Sequence, residues 1–367
     1  MKIGLDISQM VYEGTGVSRF VHGLIQGILT HDNQNEWFFF FSSLRQRIDP
    51  KIKQLIGQKH HRLFEYKLPP TTLSFVWNTM HRMKVEKLVG NLDWFISSDW
   101  TEPPSNMKKA TIIHDLVYLR YPETVHSMIR KTQNRRMHWV KKESTVIFTD
   151  SQSTRKDISE LLCIDKQKIF VNYPGVDIQP PTDDMVKKTQ EMFHINKPFI
   201  LTVGKIEPRK NIGGLIEAFK QLNVKNMLLV IVGSQGWDKT TSKKQSGTER
   251  VLFLDYIADV KLSCLYKSCL FFIYPSFYEG FGYPVIEAMR LGAAVATSNT
   301  SSLKEISDGA SYLFNPHKTS DIKKALSLLV TNYDIRNKLK KQGIIKSQDF
   351  SWKKYIDNMT QVLTVHH

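Results

Sequence analysis

The chain has 367 residues, which is too long for one compact core and typical of two domains. Its 41% hydrophobic and 23% charged residues are those of a globular protein and exclude a collagen-like or disordered chain. The formal net charge of +16 leaves three classes of partner open: nucleic acid, an anionic membrane surface and phosphorylated substrates.

Short apolar runs alternate with amphipathic stretches in the first half of the chain. This order predicts a parallel sheet covered by helices. Strands are predicted at residues 3–7, 37–41, 94–97, 111–114, 146–149 and 169–172, and helices near 17–30, 74–89, 127–142 and 153–162.

A break rich in proline and glycine follows at 173–181, and the same alternation then restarts. It predicts strands at 199–203, 228–232, 251–254, 270–274 and 294–297, helices near 211–222, 260–268 and 282–291, and a polar surface loop at 239–249. We therefore predict an α/β protein with two doubly wound Rossmann-like domains, 1–177 and 183–349, facing a central cleft. Because ligands bind beyond the carboxyl ends of strands in such sheets, functional residues should lie just after strands.

The strand predicted at 270–274 is followed by the sequence EGFGYPVIEAM at 279–289. Two glycines flank Phe281, and a helix opening near Gly282 would present unpaired N–H groups to an anion. Glu279 lies in the loop and Glu287 in the helix, so the two carboxylates are held apart. That arrangement suits two sets of sugar hydroxyls better than one shared proton, although either glutamate alone also fits an ordinary surface position.

A basic loop, GKIEPRKN at 204–211, follows the strand predicted at 199–203 and enters a helix. Two of its cations, together with the helix N-terminus, would offset the charge that develops on a departing nucleoside diphosphate. A solvated basic loop is the alternative.

Two shorter signals follow strands in the first half. Gly14-Thr15-Gly16 follows the first strand, and His114-Asp115 ends the strand predicted at 111–114. Taken alone, they fit a flexible turn and a structural histidine as well as a binding site.

The motif at 279–289 resembles the hallmark of the family-four retaining glycosyltransferases, which have the GT-B fold. In that family the first glutamate contacts the transferred sugar, the second binds the ribose hydroxyls of the nucleotide, and the glycine N–H groups contact the sugar. The resemblance implies these roles for Glu279, Glu287, Gly280, Phe281 and Gly282.

The resemblance also extends to the other loops. It implies that Lys205 and Lys210 bind the diphosphate and that the glycine-rich loop approaches the donor phosphates. It further implies that His114 faces the transferred sugar, with Asp115 orienting its ring or lining the acceptor site. The implied catalytic residues are His114, Lys205, Lys210 and Glu279, and the implied donor-binding residues are Gly14, Gly16, Gly204, Arg209, Gly280, Phe281, Gly282 and Glu287.

The chain looks closest to bacterial family members that transfer mannose or other hexoses in surface-polysaccharide synthesis. This implies transfer of a hexose, with mannose favoured and glucose or N-acetylhexosamine as alternatives, from a GDP- or UDP-sugar to a saccharide or lipid-linked acceptor. The resemblance also implies that the last helix, at 350–367, completes the first domain. No Asp-x-Asp motif is present, so we expect neither a metal nor another cofactor.

Other functions are compatible with parts of the sequence. A nucleotide-sugar 2-epimerase or a phosphorylase shares the expected architecture, and the positive charge also fits a non-enzymatic nucleic-acid-binding protein. We expect no nucleic-acid partner, because the basic residues are interleaved with helices and no recognised binding module is present.

Three cysteines without metal-ligand spacing fit a reducing compartment, and the N-terminus lacks the pattern of a signal peptide. We therefore expect a cytoplasmic protein, with peripheral binding to the inner membrane face as a further hypothesis. Its basis is two basic clusters, which are either solvated surfaces or a docking site for an anionic leaflet. The first cluster is Arg130, Lys131, Arg135, Arg136, Lys141 and Lys142, and the second is His81, Arg82, Lys84 and Lys87.

Overall fold

The computed structural model describes residues 1–12, 14–236 and 249–367. They divide into two units, one formed by Met1–Gly175 with Ser351–His367 and the other by Val176–Phe350. The surface loop predicted at 239–249 lies almost wholly outside the described residues. Within the described ranges, no helix is long and apolar enough to cross a membrane.

The first unit is built on a parallel sheet. Its strands are β1 (Lys2–Asp6), β2 (Glu36–Ser42), β3 (Arg62–Tyr66), β4 (Trp94–Ser98), β5 (Lys108–Ile113), β6 (Val146–Thr149) and β7 (Ile169–Val171). The order of these seven described strands is β3-β2-β1-β4-β5-β6-β7, and all neighbours run parallel. The direction of winding reverses between β1 and β4, where a doubly wound sheet opens a crevice beyond its carboxyl ends.

Helices cover both faces of this sheet because its central strands are apolar on both sides. They are α1 (Gly16–His31), α2 (Pro50–Gln58), α3 (Pro70–Ser74), α4 (Glu86–Val89), α5 (Val117–Arg120), α6 (Ser127–Glu143) and α7 (Gln152–Leu162), with short 3₁₀ turns at Ser8–Val11, Pro122–Thr124 and Lys166–Lys168.

The continuous helix predicted at 74–89 is wrong. The chain instead forms α3, a π-helical turn at Phe75–Thr79, and the short α4. Between the last two, His81 and Met83 have positive φ angles of 50° and 63°, which a right-handed helix does not allow. Trp77, fully buried, donates its indole N–H to the Met83 carbonyl at 3.0 Å, so tertiary packing bends the chain here.

The basic residues of α6 do not share one surface. Arg136 is buried and donates to Thr111 Oγ1 at 2.7 Å and to the Ile112 carbonyl at 2.9 Å. It lies on the same face of the helix as Met137 and Val140, which packs on the sheet. The prediction that Arg136 belongs to an exposed basic cluster is therefore wrong. The predicted neighbours Arg135, Lys141 and Lys142 are exposed.

The second unit repeats the doubly wound pattern. Its strands are β8 (Phe199–Val203), β9 (Leu228–Val232), β10 (Val251–Leu254), β11 (Phe271–Tyr274), β12 (Val295–Ser298) and β13 (Tyr312–Phe314). The six strands present in the described ranges are ordered β10-β9-β8-β11-β12-β13 and pair in parallel, with the reversal between β8 and β11.

The helices of this unit are α8 (Asp183–Met192), α9 (Ile212–Lys220), α10 (Asp259–Ser268), α11 (Tyr283–Arg290), α12 (Ser301–Ser307), α13 (Thr319–Thr331) and α14 (Tyr333–Ser347), with a 3₁₀ turn at Pro208–Lys210. One apolar core joins α9 and α13 to β9 and β11, with Phe219, Ile231 and Leu326 buried together.

The last helix, α15 (Trp352–Val365), returns to the first unit and packs on α1. The Trp352 ring occupies the space above Gly23, where an added Cβ would lie 2.2 Å from the ring. Glycine at this helical position therefore makes room for the tryptophan.

Candidate active site

Two loops meet at the switch point of the second sheet. The turn Pro208–Lys210 follows β8, and the loop at 275–282 follows β11, the neighbouring strand. The Arg209 carbonyl accepts the N–H of Phe277 at 2.9 Å, and the Arg209 guanidinium donates to the Tyr278 carbonyl at 2.9 Å. Hydrogen bonds therefore join the basic loop to the EGFG loop at the carboxyl edge of the second sheet.

Glu279 is the centre of this structure. Its Oε1 accepts from Lys210 Nζ at 2.6 Å and from the Tyr274 hydroxyl at 3.0 Å, and its Oε2 accepts from Arg209 at 2.7 Å. Lys210 Nζ also donates to the Tyr274 hydroxyl at 2.7 Å. Because these side chains are largely buried, the carboxylate and the two cations attract one another away from water, and the second cation leaves the group with a net positive charge.

The charges around Glu279 determine its protonation. Burial by itself would raise the pKa of the carboxyl, but Arg209 and Lys210 lower it to about 2, so Glu279 is ionised at neutral pH. Burial, together with the charge of Arg209, lowers the pKa of Lys210. The pKa of Tyr274 lies well above its usual value, mainly through burial, so its hydroxyl remains a donor.

Hydrogen bonds to side chains of α12 hold the backbone of the EGFG loop in place. Ser302 Oγ donates to the carbonyls of Glu279 and Phe281 at 2.9 and 2.6 Å, and Ser301 Oγ accepts the N–H of Glu279 at 3.0 Å. Gly282 has a φ of 112°, and a Cβ there would lie 2.7 Å from Leu303, so this residue must be glycine. The Phe281 side chain is buried, which leaves its backbone as the part suited to a ligand.

Glu287 occupies a different environment from Glu279. It lies in α11, is 3% exposed, and accepts a hydrogen bond from the Tyr266 hydroxyl of α10 at 3.2 Å. Its burial argues against an ordinary surface glutamate. The two carboxylates are held by different partners.

Lys205 differs from Lys210 in exposure. Gly204 and Lys205 follow β8 directly, and the Lys205 side chain is 50% exposed, with Nζ 3.7 Å from Glu207 Oε1. Glu207 also lies 3.7 Å from Arg209, and burial raises its pKa. Lys205 is therefore the more exposed cation at this edge, and Lys210 the more buried one.

In the first unit, His114 follows β5 and its ring is held by Asp150. Nδ1 of His114 lies 2.7 Å from Asp150 Oδ2, and the Phe20 ring packs edge-on against the imidazole at 4.6 Å. Asp115, which the sequence offered as the residue orienting this ring, accepts the N–H of Val117 at 2.9 Å. The hydrogen bond that orients the ring in the structure therefore comes from Asp150, and the alternative role of Asp115 in lining the acceptor site stays a prediction.

The glycine-rich loop leads into α1, the helix that carries Phe20. Gly14 has a φ of 75°, and the Thr15 hydroxyl caps α1 by accepting the N–H of Ser18 at 3.2 Å. At Gly16 an added Cβ would meet no described atom within 4 Å, so its surroundings within the described chain leave room for a side chain.

Several site residues escaped the sequence analysis. Tyr274 ends β11 and Asp150 directly follows β6, but nothing local indicated that they contact Glu279 and His114. Arg209 and Glu279 are 70 positions apart along the chain. They pair because β8 and β11 are neighbouring strands in the second sheet. Over the residues that the structure describes, no group of three or more His, Cys, Asp or Glu side chains is placed to hold a metal ion.

Comparison with known proteins relates part of the chain to a known family. Residues 186–346, 161 of the 367 residues, match the model described as Glycosyl transferases group 1. Over that range the chain resembles the group 1 glycosyltransferases. These are the family-four proteins that the motif at 279–289 resembles, and the expected GT-B class of two doubly wound units is confirmed.

The relatives of this chain include proteins named for mannose transfer. The serotype-specific mannosyltransferase WbdA of Escherichia coli is 30% identical over 234 residues, which are 59% of this chain and 29% of WbdA. The chain therefore spans less than a third of that relative. The O-antigen chain mannosyltransferase B of Escherichia coli is 25% identical over 96% of both chains.

A solved structure supports the same fold. HepE of Anabaena, in complex with UDP and glucose, aligns over 100% of both chains with a TM-score of 0.72 at 16% identity. At that identity the likeness concerns the fold alone.

Proposed function

We propose that this protein is a retaining hexosyltransferase that moves a hexose, with mannose favoured, from a nucleoside-diphosphate sugar to a saccharide or lipid-linked acceptor. The observation that carries the proposal is the pairing of Lys210 and Arg209 with Glu279 at the switch point of the second sheet. It combines cations for a diphosphate with a carboxylate for sugar hydroxyls. The named mannosyltransferase relatives support mannose. We propose a GDP- or UDP-sugar as the donor.

In the proposed reaction the diphosphate binds at the basic loop, with Lys210 fixed by its burial and Lys205 closing from the exposed side. Glu287, held by Tyr266, binds the ribose hydroxyl pair, and the N–H groups of Gly280 to Gly282 contact the sugar. Glu279 accepts from the sugar hydroxyls. These groups act mainly by orientation and by stabilising charge on the leaving diphosphate.

The sugar transfer itself is proposed to occur on one face of the ring. The bond between the anomeric carbon and the diphosphate oxygen breaks, and the acceptor oxygen forms its bond on the same side. The proton of the acceptor hydroxyl passes to the leaving diphosphate, so no protein nucleophile is required. We propose that this chemistry needs no metal, because lysines and helix N-termini supply the positive charge.

A panel of nucleotide-sugars tests this function by thermal stabilisation followed by a transfer assay. A donor present at about 100 times its Kd should stabilise the fold by roughly 2.7 kcal/mol. GDP-mannose and UDP-hexoses are compared with a single-stranded oligonucleotide of equal charge. Stabilisation by the oligonucleotide and by none of the nucleotide-sugars would refute the proposal, and the relatives give no support to that outcome or to an epimerase.

We also propose that the first unit docks on an anionic lipid surface. The structure joins the two basic segments, because Trp139 of α6 donates to the Asn78 carbonyl at 2.9 Å and Arg135 donates to Thr79 at 3.3 Å. Phe75, Met80 and Met128 are exposed on these same segments, which gives apolar groups beside basic ones. The surface consists of Phe75, Met80, Arg82, Met128, Arg135, Lys141 and Lys142.

Co-sedimentation with vesicles of varied anionic content tests the docking. Replacing Arg135, Lys141 and Lys142 by alanine should weaken partitioning about 100-fold, since each basic residue near the surface contributes about 1 kcal/mol. A control that removes three exposed lysines from the second unit, Lys324, Lys338 and Lys341, should bind as the parent does. Equal losses of vesicle binding in both variants would indicate a general charge effect and contradict the proposed docking surface.

A further inference from the structure

His114 and Asp150 face each other because of the register of two neighbouring strands. β5 and β6 run in parallel with Ile113 opposite Thr149, and both strands end at that pair. The next residue of each strand, His114 and Asp150, therefore leaves the sheet at the same point of its carboxyl edge. The result is the 2.7 Å contact between Nδ1 and Oδ2.

The pair is held firmly and leaves one ring nitrogen unused. The Asp150 side chain is buried, and only 12% of the His114 side chain is exposed. Among the described residues, neither Nε2 of His114 nor Oδ1 of Asp150 has a hydrogen-bond partner, although both atoms are buried. A buried polar atom without a partner is unfavourable by about 1–3 kcal/mol, so such a group calls for a functional explanation.

We propose that Asp150 is a positioning residue for His114: it commits the Nδ1–H to its carboxylate, so that Nε2 is the ring nitrogen presented to a hydroxyl of the substrate sugar. This inference rests on the proposed glycosyl transfer. Phe20 fixes the plane of the ring by its edge contact, and the His114 carbonyl accepts from Thr154 Oγ1 at 3.3 Å. The imidazole is therefore contacted by Phe20 and Asp150, and the backbone of His114 is held by Thr154.

The electrostatic surroundings agree with this role. Burial would lower the pKa of His114, but the charge and hydrogen bond of Asp150 outweigh it, so the pKa is raised. Asp99 and Asp115 are the other acidic groups that face the imidazole, and Tyr355 of α15 faces Asp150. A carboxylate bonded to Nδ1 is the arrangement that fixes one tautomer of a histidine.

The tautomer can be read directly by NMR of the full chain labelled with ¹⁵N-histidine, with His114 assigned from the spectrum of H114Q. Above its pKa, the His114 ring of the parent should carry its proton on Nδ1. A proton on Nε2 would overturn the proposal without any need for an Asp150 variant. This arm is independent of whether the protein transfers sugar.

Asp150→Asn should lower the pKa of His114 by about one unit or more, a tenfold change in proton affinity, because an opposite charge in contact is removed. Asp99→Asn is the matched control, since it removes a facing charge without a bond to the ring. Asp99 has a φ of 56°, where asparagine is well tolerated. A shift in D150N no larger than that in D99N would overturn the role of Asp150.

Kinetics separate this inference from the proposed function. D150N should lower kcat about tenfold or more while its affinity for nucleoside diphosphate stays that of the parent, because the diphosphate is proposed to bind the second unit. A parent-like kcat in D150N would refute positioning. Absence of transfer by the parent with every donor would instead refute the proposed function, and the NMR result would still decide the tautomer.

Discussion

Glu279→Gln should strengthen the binding of a nucleoside diphosphate while it slows transfer. In the structure the Glu279 carboxylate already accepts hydrogen bonds from Lys210 and Arg209, at 2.6 and 2.7 Å. A diphosphate that binds these cations must therefore share them with an internal anion. Glutamine keeps the size of the side chain and removes its charge, so the competition disappears.

The size of the effect follows from the distances. A phosphate oxygen at hydrogen-bond distance from Lys210 would lie about 6 Å from the Glu279 carboxylate. At an effective dielectric constant of about 20, two unit charges at that separation repel by about 3 kcal/mol. Salt and water reduce this value, so we expect at least about tenfold tighter binding, or about 1.4 kcal/mol.

A second signature should appear in stability. Removing one partner of a buried ion pair leaves the other charge uncompensated and destabilises a fold by about 3–5 kcal/mol. E279Q should therefore have a lower Tm than the parent and should gain more stability from the diphosphate.

The assay is calorimetric titration with GDP and UDP at fixed salt, with sugar transfer measured in parallel. Glu207→Gln is the matched control, because Glu207 lies farther from its cations, at 3.7 Å. Its effect on diphosphate affinity should be smaller. Unchanged or weaker affinity of E279Q for both diphosphates would refute the competition.

Four further predictions follow from the same sites. Glu287→Gln should raise the Kd for nucleoside diphosphate about tenfold without lowering Tm, and parent-like binding would rule out the ribose role. Gly16→Ala should keep or raise Tm, since alanine suits a helical position, but it should slow transfer. Gly23→Ala should destabilise the fold, because its Cβ would meet Trp352. Loss of stability in both variants would contradict this distinction. Exhaustive chelation should leave transfer unchanged, whereas a loss restored by magnesium or manganese would overturn metal independence. The pKa of Glu279 is about 2 instead of 4.5, so its contribution to stability is complete above about pH 5 and is lost as pH falls toward 2. The fall of Tm with acid should be smaller in E279Q than in the parent.

The sequence predicted most of the strands but not every element that covers or borders them. It missed β3 because this edge strand has only five residues, with charged side chains at Arg62 and Glu65. It also omitted α13 and α14, although α13 has a clear apolar stripe at Ile322, Ala325, Leu326 and Leu329. The broken segment at 75–85 was unpredictable, because its bend depends on a tryptophan buried against distant parts of the chain.

For the site, the sequence by itself predicted which loops carry functional chemistry, since the EGFG and PRKN motifs follow apolar strands and their residue types suit a sugar and a diphosphate. Only the tertiary structure decided which side chains touch. Arg209 reaches Glu279, and His114 reaches Asp150, because parallel pairing of β8 with β11 and of β5 with β6 brings distant strand ends together. Strand order and register depend on packing across the whole unit, which no local pattern records.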